Sequence, residues 1–526
     1  MSSKLVIGTR GSELALWQAN YVAARLLEQG VSIEIKVIKT QGDKIRDIGF
    51  DKMEGKGFFT KELEDALLKK DIDLAVHSHK DLTTTFPEGL IIAAVSKRED
   101  PSELLLIHPN AVDGKMHFSL KKNAKLGTSS ARRKSQFLAF RPDCTVADLR
   151  GNVTTRIQKV MSGEYDAILI AAAGVERLGC DTGDLQVEKL SPKEFIPAPA
   201  QGVLAMQCRA EDTETITALK PLNNPEVAMN IAVERKVLNL FDGGCQLPLG
   251  VYCERELNDN DEMVFRTWVS KADAWDKKPK YLFSETATSE GLAEKLVERI
   301  HAIKPCPVFI SRGARKHDLF SEVLTGNGFQ VTAQALIEMK SIAFKTPASI
   351  DWVFFASKNA VRFFFEGKPN LTNGVKLGAV GISTANEIRK FGKRAEFIGQ
   401  GTDTKRIGKQ FAALVGNRSV AFPQAKGSMR SIQSQLTRQD SAIDLTVYET
   451  IKKECGVRSS EFGVLVFTSP SNVESFLEKN TISSEQKVVA MGDATAHALK
   501  KAGVRVHAQP LTFTDLGLLQ AVYKVC

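Results

Sequence analysis

Three arginines stand where two neighbouring helices are expected to begin. Arg132 and Arg133 follow the turn at 128–130 in LGTSSARRKSQF, and Arg156 follows the turn in LRGNVTTR. A helix N-terminus already carries a partial positive charge and unpaired N–H groups, so an arginine there favours a nearby anion. The pattern predicts two adjacent anion sites and a ligand with several negative charges. The alternative is that these arginines reach solvent or pair with acidic side chains of the protein itself.

The same arrangement recurs at two other predicted strand-to-helix turns. Near the N-terminus, a strand at residues 4–8 leads past Arg10 into an amphipathic helix, with Ser12 as the predicted N-cap. Further along, DAILIAAAGVERLG repeats the pattern and ends near Arg177. A polar, glycine-punctuated stretch contains Lys52 and Lys56, and it predicts either a lid over an anionic ligand or a solvated loop.

One carboxylate stands at a position suited to catalysis. In DLAVHSHKDL, Lys80 and Asp81 come directly after an apolar strand. In open α/β sheets, binding and catalytic sites lie at the carboxyl ends of the strands. The position of Asp81 therefore suits either a catalytic carboxylate or an exposed ion-pair partner of Lys80. A second candidate, Cys245, follows two glycines in DGGCQLPLG. A lone cysteine is more often inert core, and its spacing alone supports that interpretation.

Composition limits the class of protein. With 526 residues, 43% hydrophobic and 25% charged, the chain has room for about three or four globular domains. The net charge of +9 indicates an acidic partner, but no basic block of the nucleic-acid type is present. No signal core, long apolar run, CxxC pair or Cys/His metal spacing occurs. We therefore expect a cytoplasmic protein with reduced thiols, no metal site and no membrane contact.

The order of predicted elements divides the chain into parts. Alternating strands and helices up to about residue 210 predict α/β lobes with largely parallel sheets, and FIPAPAQGVLAMQCR looks like a connection back into the first lobe. From 212 to 300, a long helix and the strands VYCER, VFRTWVS and YLFSET predict a small α+β domain. Beyond a short linker, the stretch around Ser357 recurs 112 residues later around Ser469. This repeat predicts two copies of one α/β unit with a ligand cleft between them.

Six motifs occur in one order along the first part of the chain: GTRGSELALWQA, GKGFFTKELE, AVHSHKD, LGTSSARR, LRGNVTTR and GGCQLPLG. Together they resemble hydroxymethylbilane synthase, also called porphobilinogen deaminase. The stretch 308–526, with FFASKNAVRFF, VYET, VFTSPSNVESF and VVAMGDATAHAL, resembles uroporphyrinogen-III synthase. The resemblance implies a transferase fused to a lyase in porphyrin and heme biosynthesis. Four porphobilinogen molecules would become hydroxymethylbilane, which would then be cyclised with ring inversion to uroporphyrinogen III.

The resemblance also implies roles for individual residues. Cys245 would carry a dipyrromethane cofactor through a thioether, and Asp81 would be catalytic, stabilising the cation left when ammonia departs. The other residues implied in cofactor binding are Lys80, Thr128, Ser129, Arg132, Arg133 and Gly244. Those implied in substrate binding are Arg10, Ser12, Lys52, Lys56, Arg150, Asn152, Arg156 and Arg177. Each pyrrole carries an acetate and a propionate, so guanidinium groups suit the growing chain.

For the C-terminal region, the resemblance implies binding contacts rather than an acid/base pair. They fall on Ser357, Ser383, Thr384, Tyr448, Ser469 and Thr495. This set fits an enzyme that mainly holds a reactive substrate in a folded shape. The alternative is a deaminase whose C-terminal repeat is a non-catalytic interaction module.

The expected architecture is a monomer of five parts. Two periplasmic-binding-protein-like lobes would comprise 1–100 with 198–215 and 101–197, followed by a cofactor-carrying α+β domain at 216–303 and two similar α/β lobes within 308–526. An anion-binding receptor shares the two-lobed plan, but the absence of an export signal and the presence of Asp81 and Cys245 count against it. A nucleic-acid binder is disfavoured because aromatic residues do not interleave with the basic ones. The expected partners are small polycarboxylate pyrroles, with no nucleic acid.

Overall fold

The structure is a computed structural model that describes residues 4–40, 60–242, 246–258, 260–399 and 404–526. In the first part of the chain the strands are β1 (Leu5–Thr9), β2 (Ile33–Val37), β3 (Leu74–Ser78), β4 (Leu90–Val95), β5 (Glu103–Ile107), β6 (Lys125–Gly127), β7 (Thr145–Ala147), β8 (Ala167–Ala171), β9 (Gln186–Leu190) and β10 (Leu204–Arg209). The helices are α1 (Glu13–Leu27), α2 (Lys61–Leu68), α3 (Ala131–Phe140), α4 (Val153–Met161), α5 (Ala172–Leu178) and α6 (Thr213–Leu219).

Two five-stranded sheets form two lobes, which we call N1 and N2. The N1 sheet has the order β2-β1-β3-β10-β4, and the N2 sheet has the order β7-β6-β8-β5-β9. In N1, β1 runs parallel to β2 and β3, whereas β10 runs antiparallel to β3 and β4. In N2, β6 is parallel to β7 and β8, whereas β5 is antiparallel to β8 and β9. In each sheet four of the five strands therefore run in the same direction, so the sheets are largely parallel, as expected, with one reversed strand that the sequence did not indicate: β10 in N1 and β5 in N2.

The chain crosses between N1 and N2 twice, and the two crossings lie side by side. The backbone N–H of Glu99 in the first crossing donates to the carbonyl of Gly202 in the second at 3.0 Å. Just beyond, the N–H of Ser96 donates to the carbonyl of Leu204, the first residue of β10, at 3.0 Å. The paired crossings form the connection on which the position of one lobe relative to the other depends.

A small α+β domain follows, as the sequence predicts. Its elements are α7 (Pro225–Leu240), β11 (Leu249–Leu257), β12 (Met263–Lys271), β13 (Lys280–Thr286) and α8 (Leu292–Ala302). The three strands form one antiparallel sheet in chain order. Helices α7 and α8 pack against each other, with α7 on β11 and α8 on β13.

The rest of the chain forms two further lobes, C1 and C2. The strands are β14 (Pro307–Ile310), β15 (Gln330–Ala333), β16 (Ile337–Ser341), β17 (Trp352–Phe355), β18 (Lys376–Ala379), β19 (Phe397–Ile398), β20 (Val420–Ala425), β21 (Ala442–Lys452), β22 (Val464–Phe467) and β23 (Lys487–Ala490). The helices are α9 (Leu319–Gly326), α10 (Lys358–Glu366), α11 (Ile382–Lys390), α12 (Thr404–Val415), α13 (Pro470–Leu477), α14 (Asp493–Lys501) and α15 (Asp515–Val525). C1 contains the sheet β15-β14-β22-β23, and C2 contains the sheet β16-β21-β20-β17-β18-β19.

The two copies of the internal repeat exchange halves between these lobes. The C1 order β15-β14-β22-β23 matches the C2 order β21-β20-β17-β18. In chain order the first copy supplies β14, β15, β17 and β18, and the second supplies β20 to β23. Each lobe therefore takes half of its matching strands from each copy. The chain passes from C1 to C2 and back through an antiparallel ribbon in which Ile337 of β16 pairs with Lys452 of β21.

Among the described residues, no helix combines the length and the apolar content needed to cross a bilayer.

Candidate active site

The ends of two neighbouring N1 strands form a pocket that contains three of the predicted site residues. Strands β1 and β3 are adjacent and parallel, so their carboxyl ends meet at one edge of the sheet. Arg10 and Ser12 follow β1, Asp81 follows β3, and all three line a pocket with about 480 Å³ of empty space, part of it open to solvent. The other lining residues are Leu14, Ala15, Gln18, Thr60, Leu63, Val76, His77 and Ser78.

Hydrogen bonds hold the walls of this pocket. Ser12 is the N-cap of α1, as predicted, and its hydroxyl accepts from the N–H of Ala15 at 3.3 Å. On the next turn of α1, the side-chain amide of Gln18 donates to the hydroxyl of Ser78 at 2.8 Å. This bond ties the helix to the strand that carries Asp81. Because Gln18 lies on the helix face between apolar neighbours, its role was not visible in the sequence.

A carboxylate of the protein itself lies between Arg132 and Arg133. Glu103, the first residue of β5, is fully buried, and each of its oxygens accepts from one of the two guanidinium groups at 2.6 Å. Arg132 also donates to the carbonyl of Ile196 at 3.0 Å, and Arg133 to that of Leu169 at 3.1 Å. For these two arginines the alternative interpretation, pairing with an acidic side chain, therefore applies. An anion is predicted at this helix start from the sequence, and Glu103, which the sequence did not indicate, supplies it.

Lys80 lies against the same cluster. Its ammonium donates to Oε1 of Gln201 at 3.2 Å, and Gln201 in turn donates to the carbonyl of Pro101 at 2.8 Å. Burial lowers the pKa of Lys80, partly offset by the neighbouring carboxylate of Asp81. The cation is thereby held beside Asp81 and connected to both crossings between the lobes.

Arg156 lies near this cluster. Arg156 donates through Nε to the carbonyl of Gly151 at 2.9 Å. Burial lowers the pKa of Arg156 to about 10, with a further contribution from the nearby Arg133. Asn152 is the N-cap of α4 and accepts from the N–H of Thr155 at 2.8 Å. Arg156 thus lies in the first turn of α4, as the sequence indicates, and it is partly desolvated there.

Arg177 links the two lobes. Its NH2 donates to the carbonyl of Gly202 in the second crossing at 2.8 Å, and its guanidinium lies 5.8 Å from the centre of the Trp17 ring on α1. Burial lowers the pKa of Arg177.

Arg150 and Ser129 lie half-buried at neighbouring turns of N2, and the hydroxyl of Ser129 donates to the carbonyl of Leu149 at 3.0 Å.

A buried polar chain lies under the pocket. His77 is hydrogen-bonded through Nε2 to Oε1 of Gln207 at 3.0 Å, and the Gln207 amide donates to Glu64 at 3.3 Å. Burial lowers the pKa of His77 to about 4 and that of His79 to about 3, while it raises the pKa of Glu64. Both histidines are therefore neutral at pH 7, and neither supplies a positive charge to the pocket.

The α+β domain contacts the turn that follows Asp81 through α7. Arg235 on this helix donates to the carbonyl of Leu82 at 2.9 Å and also to the carbonyl of Thr83. The preceding residue, Glu234, is fully buried, pairs with Arg98 at 2.6 Å and accepts from the N–H of Ala200 at 2.6 Å. Neighbouring positions on one helix thus hold the crossings and the turn that follows Asp81. Neither residue was identified from the sequence, and the only available signal was the charged run 234–236 between Val233 and Val237 on a helix that buries both valines.

Four predicted site residues, Lys52, Lys56, Gly244 and Cys245, lie outside the described residues. In the sequence, Gly244 and Cys245 lie between α7 and β11. Thr128 is buried at the start of α3, where its hydroxyl accepts from the N–H of Ser130 at 3.3 Å.

In the C-terminal lobes, two predicted contacts occupy equivalent helix starts. Ser357 is the N-cap of α10 in C2 and accepts from the N–H of Ala360 at 3.1 Å. Ser469 is the N-cap of α13 in C1 and accepts from the N–H of Asn472 at 3.3 Å. Both follow the inner strand of their sheet, so the repeat in the sequence corresponds to a repeated strand-to-helix turn.

The other four predicted contacts differ in exposure. Ser383 in the first turn of α11 is exposed, whereas Thr384 and Thr495 are 3% and 2% exposed. The Thr495 hydroxyl donates to the carbonyl of Met491 at 3.3 Å, so it holds the start of its helix. Tyr448 is 8% exposed and stacks on Phe363 at 4.9 Å in the C2 core. Ser357, Ser383 and Ser469 are therefore the members of the set with the best access to a ligand.

Family models match most of the chain. The model described as porphobilinogen deaminase, dipyromethane cofactor binding domain, matches residues 5–217, and porphobilinogen deaminase, C-terminal domain, matches 228–302. The model described as uroporphyrinogen-III synthase HemD matches residues 318–520.

Individual relatives match one part or the other. Porphobilinogen deaminase of Brevibacillus brevis is 38% identical over 327 residues, covering 62% of this chain and 99% of the relative. The Bacillus subtilis enzyme is 39% identical over 322 residues, covering 60% and 99%. Among solved structures, uroporphyrinogen-III synthetase of Helicobacter pylori is 19% identical with a TM-score of 0.32, covering 41% of this chain and 98% of that one. A Thermus thermophilus uroporphyrinogen III synthase mutant is 17% identical with a TM-score of 0.31, covering 42% and 97%.

Proposed function

The chain belongs to the porphobilinogen deaminase family, with a uroporphyrinogen-III synthase region fused after it, and we propose that the two sites described above act in sequence. The protein is a bifunctional enzyme of tetrapyrrole biosynthesis, a transferase and a lyase in one chain. The first part converts four porphobilinogen molecules to hydroxymethylbilane. The second part cyclises that product, with inversion of one ring, to uroporphyrinogen III.

The pocket at the ends of β1 and β3 is the observation that supports assigning the deaminase reaction to particular residues. It places the Asp81 carboxylate beside Arg10 and Ser12. Positive charge develops on the pyrrole when ammonia leaves, and a fixed carboxylate next to the ring N–H stabilises that charge. Arg10 takes a carboxylate side group of the same pyrrole. Asp81 is therefore the catalytic residue of the proposal.

Replacement of Asp81 tests this role. Asp81→Ala should abolish the formation of hydroxymethylbilane while its far-UV circular dichroism stays that of the parent protein, because the side chain is exposed and holds no core. The matched control is Asp65→Ala, an exposed carboxylate on α2, which should keep full turnover. Near-normal turnover by Asp81→Ala would remove the assigned role.

The basic groups of N2 fit a polycarboxylate ligand. Nε of Arg133 and Nε of Arg177 are buried and have no hydrogen-bond partner among the described residues. A buried donor without a partner is costly, and an incoming carboxylate offsets that cost. Arg156, desolvated at the start of α4, is favoured by an anion for the same reason. We assign Arg150, Arg156 and Arg177 to the substrate side groups.

The family's cofactor is dipyrromethane, and the first family model is its binding domain. When bound, it supplies the pyrrole carbon to which each new unit is added. The residues present fit this group, because Lys80, Arg132 and Arg133 carry more positive charge than Glu103 neutralises, and Thr128 and Ser129 lie beside them. In the proposal these residues orient the cofactor carboxylates, and the Cys245 thiol holds it covalently.

Mass spectrometry of the intact protein tests the attachment. The parent chain should be heavier than its sequence by two pyrrole units, and Cys245→Ser should have the mass of the bare chain. Cys180→Ser is the control, since Cys180 is a half-buried thiol elsewhere in N2, and it should keep the added mass. Retention of the added mass by Cys245→Ser would place the attachment elsewhere.

For the lyase step, the proposal assigns substrate contact to the three accessible hydroxyls Ser357, Ser383 and Ser469 at helix starts of C1 and C2. Supplying porphobilinogen to the full chain should yield the type III isomer of uroporphyrinogen. The alternative of a non-catalytic C-terminal region predicts only the type I isomer, which forms when hydroxymethylbilane closes spontaneously. Separation of the isomers by chromatography distinguishes the two.

We assign the protein to the cytoplasm as a monomer, with domains at 1–100 with 198–215, 101–197, 216–303 and 308–526. The cysteines in the described residues are unbridged, which fits a reducing compartment. Light scattering during size-exclusion chromatography tests the monomer, and limited proteolysis tests the boundaries.

A further inference from the structure

The C-terminal helix α15 is buried along almost its whole length. Every residue from Leu516 to Tyr523 is buried, including Gly517 and Gln520. A helix on the surface of a lobe buries one stripe, whereas a helix buried all round is covered from every side. Eight consecutive buried residues span more than two turns, so α15 must be covered on opposite faces.

The two covering surfaces belong to different enzymes. On one side, α15 packs against α9 and β23 of its own lobe C1. On the other side, it packs against β13 of the deaminase's α+β domain. Tyr281 of β13 and Tyr523 of α15 belong to one core cluster at this junction. Tyr281 is 0% exposed and Tyr523 is 2% exposed, and burial raises the pKa of both hydroxyls.

Tyr523 is held from the C1 side as well. Its hydroxyl accepts from the side-chain amide of Asn327 at 3.2 Å, and its ring meets the ring of Phe329 edge-on at 5.8 Å. The side chain thus contacts the end of α9 and the strand of the other enzyme's domain. It is the residue through which both surfaces are best perturbed at once.

One hydrophobic core continues across the junction. Val308 and Ile310 of β14 belong to the same buried cluster as Trp268 and Leu282 of the α+β domain. The alternating residue Phe309 points to a separate cluster on the other face of the C1 sheet. The core that α9 and α15 form on one face of the C1 sheet is therefore continuous with the core of the deaminase's α+β domain.

Lys278 closes the edge of this junction. Its ammonium donates to the carbonyl of Leu138 on α3 of N2 at 2.8 Å and lies 3.7 Å from the carboxylate of Glu322 on α9. Its stem passes Gly326, where an added Cβ would lie 2.5 Å from Cγ of Lys278. One side chain of the α+β domain thus contacts both N2 and C1.

Lobe C2 is built differently. Its two buried clusters draw on C2 residues alone within the described chain, with Phe364 in one and Phe411 in the other. Its connection to C1 is the ribbon of β16 and β21. C2 thus has two cores of its own, whereas C1 shares a core with the α+β domain.

We propose that the α+β domain of the deaminase and lobe C1 of the synthase form a single folding unit, with α15 as its shared layer. The last turns of the chain stabilise the deaminase, although they are distant from it in sequence and belong to the second enzyme. C2 stands outside the unit, because its buried clusters draw on C2 residues alone among the described residues and the ribbon of β16 and β21 joins it to C1.

The experiment measures heat inactivation of the deaminase in the full chain. Tyr523→Leu keeps an apolar side chain but removes the hydrogen bond with Asn327 and the aromatic ring from the core cluster that includes Tyr281. It should lower the temperature of half-inactivation of porphobilinogen deamination by roughly 4 to 8 °C. The matched control Phe411→Ala removes a fully buried ring from the separate C2 core. It should lower the half-inactivation temperature of the synthase activity and leave that of the deaminase within about 1 °C.

Hydrogen exchange provides a second measurement on the same proteins. The backbone amides of 280–286 should exchange at least several-fold faster in Tyr523→Leu than in the parent. In Phe411→Ala their exchange rates should equal those of the parent. If Tyr523→Leu does not give soluble protein, Gly326→Ala is measured in the same way and should shift the deaminase in the same direction. Equal deaminase half-inactivation temperatures in the parent and the junction variant, with unchanged exchange at 280–286, would overturn the proposal.

Discussion

Two arginines share the carboxylate of Glu103 inside lobe N2, and this arrangement carries a stability cost if it is broken. All three groups are at least nine-tenths buried. Removing one member of a buried ion pair leaves the partner charge without compensation, which costs more than the pair itself contributes. With two guanidinium groups depending on one carboxylate, Glu103 is the member whose loss matters most.

We expect Glu103→Gln to lower the free energy of unfolding by about 3 to 5 kcal/mol. Urea unfolding followed by tryptophan fluorescence measures the change. The control is Glu285→Gln, which removes a carboxylate that pairs with Arg266 and is 35% exposed. Since exposed pairs are screened by solvent, that variant should lose less than about 1 kcal/mol. Equal losses in the two variants would contradict the role of Glu103.

The two buried histidines make the N1 lobe sensitive to acid. Burial lowers the pKa of His77 from 6.5 to about 4, with the charge of Arg10 acting in the same direction. In the unfolded chain the histidine binds a proton near pH 6.5, whereas in the folded chain it does not until about pH 4. Stability is therefore fully present above pH 6.5 and is lost as the pH falls from there towards 4.

The expected slope is about 1.4 kcal/mol of unfolding free energy per pH unit for each such histidine. In His77→Asn, the change in unfolding free energy per pH unit between pH 6 and 4.5 should lose the contribution of one histidine. That contribution is about half of the combined contribution of His77 and His79. Urea midpoints at a series of pH values measure it. The exposed His497→Asn is the control and should keep the slope of the parent. An unchanged slope in His77→Asn would show that this residue does not set the acid sensitivity.

At the scale of elements, the paired crossings between N1 and N2 decide how the cleft is held. Gly202 in the second crossing has φ +88°, and a Cβ there would lie 2.4 Å from the carbonyl oxygen of Glu99. The same residue's carbonyl accepts from Arg177. The crossing is therefore packed so closely that only glycine fits, and its backbone also positions a proposed substrate arginine.

Gly202→Ala should lose more than about 2 kcal/mol of stability, because it combines a left-handed backbone with a backbone clash. It should also raise the KM for porphobilinogen through the displacement of Arg177. Gly30→Ala is the matched control, with φ +80° and no atom within 4 Å of the added Cβ. It should lose only about 1 kcal/mol and keep the parent KM. The comparison of urea midpoints and KM values checks both parts.

At the scale of the whole molecule, four lobes and one domain are joined in two different ways. C1 meets the deaminase through a continuous core, whereas C2 is attached through a ribbon and contains its own clusters. Independent cores unfold independently when little surface connects them. The boundary of cooperative unfolding should therefore fall inside the synthase rather than between the two enzymes.

Scanning calorimetry of the full chain checks this boundary. We expect a separate transition for C2, which Phe411→Ala moves to lower temperature by several degrees while the other transitions stay in place. Tyr523→Leu should move the transition that coincides with loss of deaminase activity. A single transition that both variants shift equally would contradict an independent C2.

The amino-acid sequence was sufficient for the alternation of strands and helices, the α+β domain, the internal repeat and the helix-start positions of Ser12 and Asn152. These features depend on local periodicity and on capping, which involve residues a few positions apart. The six motifs determined the family for the same reason. What they could not determine was any contact between distant positions, such as Glu103 with Arg132 and Arg133, or α7 with the turn after Asp81.

Only the tertiary structure decided the direction of β5 and β10, the exchange of halves between C1 and C2, and the burial of α15 between two enzymes. An apolar strand or helix has the same pattern whichever partner covers it. Its direction and its neighbour depend on how the whole chain packs. The hydrophobic effect is non-directional, so it favours any apolar contact and does not select a particular partner. The carboxylate that pairs with a buried arginine is likewise the one that lies close in space, and the order of residues does not give that distance.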